Sequence, residues 1–63
     1  MSTGIVVHCS RGKREKSNLY IKLKGGSVYR YPSLLDEKAQ DVLVDRIKQN
    51  KFRVQLKHWH KVR

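Results

Sequence analysis

The chain of 63 residues holds one cysteine, one proline, one tryptophan, one phenylalanine and only five acidic residues. A lone Cys9 leaves no internal disulfide and suits a reducing compartment, so a cytoplasmic location is expected. No apolar run approaches the roughly 20 residues of a membrane span, so no membrane partner is expected. Met1-Ser2-Thr3-Gly4 offers no charged start leading into an apolar stretch, so a secretory leader is not expected either. His8, Cys9, His58 and His60 are the one combination that could ligate a metal, and no CxxC or HxxxH spacing supports it. Cys9 reads instead as a small core residue. Catalytic arrangements are equally scarce. A Cys–His pair would lack a third, orienting group. Gly25-Gly26 joins two strands and opens no helix, so it is not a phosphate loop. The expectation is a protein without enzyme activity or cofactor.

Hydrophobic residues make up 38% of the chain, which suffices for one thin core. With no repeat, low-complexity tract or linker, residues 1–63 read as one small domain. Ile5-Val6-Val7-His8-Cys9 is β-branched and apolar, a first strand. Residues 10–18 form a polar, basic loop containing Arg11, Lys13, Arg14 and Lys16. Leu19, Ile21 and Leu23 alternate with Tyr20, Lys22 and Lys24, the period of a half-buried strand. Gly25-Gly26 turns the chain into Val28-Tyr29-Arg30-Tyr31, which Pro32 ends. Ser33 reads as a helix N-cap with Asp36 three residues on. Leu35, Ala39, Val42, Leu43 and Ile47 then form one helical stripe, and Asn50 stops it. Phe52, Val54 and Leu56 alternate with Arg53, Gln55 and Lys57 in a fourth strand directed towards Val62. The fold class is α+β: a small antiparallel sheet, β-β-β-α-β, with one helix packed on one face.

Fifteen Lys and Arg against five Asp and Glu give a net charge of +10. The predicted helix holds three bases and four acids (Asp36, Glu37, Asp41, Asp45). The remainder holds twelve bases and a single acid, Glu15. The positive charge therefore belongs to the sheet and its loops. If the helix covers one sheet face, the other stays open. A two-residue Gly25-Gly26 turn pairs Tyr20 with Tyr31 and places Tyr20, Lys22, Lys24, Tyr29 and Tyr31 on that open face. A three-residue turn instead sends Tyr29 and Tyr31 inward and Arg30 outward; the first register is preferred. The last strand adds Arg53, Gln55, Lys57, Trp59 and Lys61 to the same kind of face. Trp59 could equally cap one end of the core.

Cations interleaved with aromatics on an open sheet can hold a phosphate backbone and stack bases. The expected function is nucleic-acid binding, RNA or single strands first and double-stranded DNA second. Lys22, Lys24, Arg53, Lys57 and Lys61 would neutralise phosphates, and Lys13 and Arg14 would add loop contacts. Tyr20, Tyr29 and Trp59 would stack. The rival expectation is an adaptor or inhibitor that docks the same basic face on an acidic protein partner.

The segment LYIKLKGGSVYRY, residues 19–31, resembles the hairpin of the short KTSC domain: a strand, a Gly turn, a V-Y-x-Y strand and then a helix. Residues 5–9 would match that family's leading strand. Lys48-Gln49-Asn50-Lys51-Phe52 stands where the family has a Ser-x-Gly segment. The hairpin is also similar to the three-stranded arm domain of phage-type integrases, in which a sheet enters the DNA major groove. The second resemblance implies DNA binding through the sheet; the first implies little about activity.

Overall fold

The computed structural model describes residues 2–63. Five strands and one helix follow in the order β-β-β-α-β-β. The strands are β1 (Thr3–Arg11), β2 (Leu19–Leu23), β3 (Val28–Arg30), β4 (Arg53–Gln55) and β5 (His60–Lys61); α1 covers Glu37–Gln49. All neighbours are antiparallel, in the order β4-β1-β2-β3-β5, and the sheet curls into a half-barrel around the helix. The α+β class and the single helix on one sheet face are as the pattern of periods implies.

The core joins Val6, Leu19, Ile21, Leu23 and Val54 of the sheet to Val44 and Ile47 of α1, with Trp59 closing one end. Leu19, Ile21 and Leu23 are buried while Lys22 between them is exposed, so the period-two pattern of β2 is realised in full. A β-bulge at Val7 lets β1 change phase. Before it Val6 points inward; after it Cys9 and Arg11 share the inner side, opposite Ile21 and Leu19.

The hairpin turn differs from the preferred reading. Lys22 pairs with Val28, Ile21 with Tyr29 and Tyr20 with Arg30, which makes the loop three residues long: Lys24, Gly25 and Gly26. Leu23 N–H donates to Ser27 O at 2.8 Å, and Gly26 N–H to Leu23 O at 2.9 Å. Gly26 has φ +96°, which L side chains rarely adopt. A Cβ at this position would meet only open space, so the penalty of Gly26→Ala is purely one of backbone strain, about 1 kcal/mol. A thermal melt measures this; an unchanged midpoint would mean the turn relaxes freely.

The helix begins later than Ser33. Leu35 is still extended and bridged to Ser17, so the first possible cap is Asp36, whose carboxylate accepts from Ala39 N–H at 2.7 Å. The buried face then runs through Gln40, Val44 and Ile47. Val42 falls off it and is 50% exposed, while Leu43 is half-buried. Asn50 ends the helix as expected. Beyond it Lys51 and Phe52 both take left-handed backbone, φ +57° and +61°. That corner swings the Phe52 ring outward although its carbonyl accepts from Val6 N–H, so Phe52 is not the inward residue that alternation suggests. The last segment does not run on as one strand. A 3-10 turn, Leu56–His58, breaks it and delivers β5 to the far edge beside β3.

Candidate nucleic-acid interface

The three-residue turn decides which side chains share the convex face. Ser10 lies opposite Tyr20, Tyr20 opposite Arg30, and Arg30 opposite His60, a row across four strands. The next row is His8, Lys22 and Val28. Directly opposed side chains stand about 5 Å apart, so Tyr20 has a cation beside it on one side and a hydroxyl on the other. His8, Ser10, Tyr20, Lys22 and Val28 border a shallow depression of about 330 Å³. The row's length, at about 4.8 Å per strand, suits a few nucleotides of backbone. Four of the five acids lie on or cap α1 and Glu15 sits in the basic loop, so no carboxylate belongs to a strand.

The expected site residues divide. Tyr20 and Lys22 are on the convex face, with Lys24 exposed in the turn at its end. Lys13 and Arg14 are exposed in the loop that joins β1 to β2. Arg53 pairs opposite Ile5 at the β4 edge and borders a cleft of about 200 Å³ with Arg46, His58 and Trp59.

Tyr29 and Tyr31 must be corrected: both are half-buried and packed on the core, on the inner face. Trp59 is 9% exposed and meets Tyr31 edge-on, with centroids 5.1 Å apart and planes at 76°. An indole held that way is core and offers no open ring to a base. Lys61 pairs opposite Tyr29, hence on the inner side, and Lys57 borders a hollow with Ser2, Tyr29 and Leu56. Neither reaches the Tyr20 face. Arg30, Ser10, His8 and His60 share the convex face with Tyr20 and Lys22 and are not among the residues expected from the sequence. Arg30 follows once Tyr20 is paired with it instead of Tyr31, whereas His8 and Ser10 depend on the bulged register of β1 on β2, and His60 on the pairing of β5 with β3.

The nearest thing to reactive chemistry is Cys9. Half-buried between β1 and the helix, its thiol is pushed up by desolvation, against the weaker pull of Arg11 and Lys48. A raised thiol is a poor nucleophile at neutral pH. No group of three or more His, Cys, Asp or Glu among the described residues could hold a metal ion. Among the described residues no helix is long and apolar enough to cross a membrane. Comparisons with protein families, curated proteins and solved structures found no match.

Proposed function

We propose that the protein is a non-enzymatic nucleic-acid-binding module working through its convex sheet face. The observation that carries this is the row Ser10–Tyr20–Arg30–His60 beside Lys22, on strands that contain no carboxylate. Arg30 and Lys22 neutralise phosphates, Tyr20 offers a half-exposed ring for one base or sugar, and Ser10 and the histidines supply hydrogen bonds. Single strands remain the favoured ligand because only an unstacked base can lie on Tyr20. With Tyr29 and Trp59 in the core, however, stacking is reduced to that one ring, and phosphate contacts dominate.

Affinity should therefore fall steeply with salt, log K dropping by about 0.7 per phosphate contacted on a single strand. Fluorescence anisotropy with labelled oligouridylate, single-stranded DNA and duplex DNA across a salt series measures it. A flat salt response would remove the basic face as the binding surface.

A second reading, an adaptor for an acidic protein, has its own observation. β4 pairs only Thr3, Gly4 and Ile5 of β1, so β1 outlasts its neighbour. Leu19 O and Leu23 N–H face β3, so the backbone groups of Tyr20 and Lys22 face β1 and those of Cys9 and Arg11 face away from β2. An extended acidic peptide could add there. No binding to any oligonucleotide at low salt would put this reading ahead.

A further inference from the structure

The basic loop is held at its neck. Arg11, the last residue of β1, pairs through its guanidinium with the Asp41 carboxylate on α1. At the other end Ser17 and Leu35 exchange two backbone hydrogen bonds, each 2.9 Å. Gln40, one residue before Asp41, is 1% exposed. Its Nε2 donates to Ser17 Oγ at 3.0 Å, to Leu35 O at 3.1 Å and to Ser17 O at 3.3 Å. Gly12 lies so close to Ser17 that a Cβ added to it would overlap that side chain. Both ends of the loop thus meet each other and the first turns of one helix, while Lys13, Arg14 and Lys16 between them are exposed.

We infer that residues 12–16 form a preformed phosphate-gripping loop, and that Gln40 is its positioning residue, with Asp41 in support. This rests on the nucleic-acid reading above. The amide at position 40 contributes little that an aliphatic side chain would not contribute to the core stripe of Val44 and Ile47. Its Oε1 is buried with no partner among the described residues, as is Asn18 Oδ1, and burying such atoms opposes folding. What the amide alone supplies is the three-way bond to the loop's neck. The Arg11–Asp41 pair is about half-exposed on both sides, so it steers more than it stabilises. The loop leaves the sheet beside the Ser10–Tyr20 pair. A nucleic-acid strand lying along the row of Arg30, Tyr20 and Ser10 ends on β1, whose next residues lead into the loop that carries Lys13 and Arg14. A mobile loop would have to be ordered at the moment of binding, which weakens binding; a clamped one would not.

The test uses Gln40→Met, close in volume and neutral, so that net charge is unchanged. Backbone amide relaxation in the free variant should show residues 12–17 mobilised while β2 stays rigid. Affinity for labelled oligouridylate should fall roughly tenfold, with a shallower salt slope. The double substitution Lys13→Ala, Arg14→Ala should weaken the wild-type protein markedly but the Gln40→Met background only slightly, because a mobile loop already contributes little. Additive effects, an unmoved loop, or a mobilised loop with unchanged affinity would each overturn the inference. If Gln40→Met does not fold, Ser17→Ala removes one acceptor from the same neck and is read in the same way. Failure of the nucleic-acid reading itself looks different: the wild-type protein then binds no oligonucleotide at all.

Discussion

Leu19→Ala should leave the protein largely unfolded at 25 °C. Leu19 has no exposed surface and sits on β2, the central strand of the sheet. It packs in the one cluster where Ile21, Val44, Ile47 and Trp59 meet. Truncating a leucine in such a place removes its transfer free energy and leaves a cavity, about 2–5 kcal/mol together. A domain of this length has a total stability of roughly 3–9 kcal/mol at the usual 0.05–0.15 kcal/mol per residue. The substitution therefore consumes most of what holds the fold. Val42→Ala is the matched control. That side chain is half in solvent, off the buried face of α1, and its loss should shift stability by less than about 0.5 kcal/mol. Far-ultraviolet circular dichroism on heating separates the two. A cooperative melt for Leu19→Ala near that of the wild type would show that the sheet's centre is not where stability is concentrated.

That contrast also shows what local pattern does and does not disclose. The residues of β2 announce themselves, because alternation on a strand with one buried face has one solution: 19, 21 and 23 inward. The helix is legible as a helix but not in its rotation. A stripe assembled from apolar residues takes in Val42 and passes over Gln40, since nothing in composition says that an amide will be needed at the neck of a loop 23 residues earlier in the chain. Its start is hidden for a similar reason: Ser33 caps well locally, but the bridge between Ser17 and Leu35 keeps the chain extended until Asp36. The hairpin register turns on a single residue. Gly25-Gly26 is compatible with a two- or a three-residue loop, and the choice inverts every side chain of β3. Burial favours the three-residue loop, which gives Tyr31 a ring to meet in Trp59 and turns the half-buried Arg30 to the outer face. So the basic sheet is readable, while the membership of its open face is not. Lys22 and Tyr20 are placed by the clean alternation of β2; Arg30 and Trp59 depend on a turn and on a 3-10 break that no period signals.

The combination Lys22→Glu, Arg30→Gln should lower affinity for single-stranded oligonucleotides by roughly two orders of magnitude at low salt. Two phosphate contacts disappear, and a carboxylate is placed beside the strand. The salt slope should become shallower by about 1.4, twice the single-strand value per phosphate. Glutamine is chosen for Arg30 because that side chain is half-buried, and its stem can still pack while its charge is removed. The decisive comparison is Lys38→Glu, Lys61→Gln. It removes the same three units of charge from positions on α1 and on the inner side of β5. If net charge alone attracts the polyanion, the two variants bind equally weakly. If the convex face is the contact surface, the second variant loses only the modest long-range attraction of three charges, which salt screens beyond about 10 Å at 0.1 M. It then keeps its slope. Equal losses in both variants would reduce the row of Ser10, Tyr20, Arg30 and His60 to a solvated surface. A larger loss in the Lys38, Lys61 variant would move the site to the concave rim, where Tyr29, Lys57 and Lys61 lie.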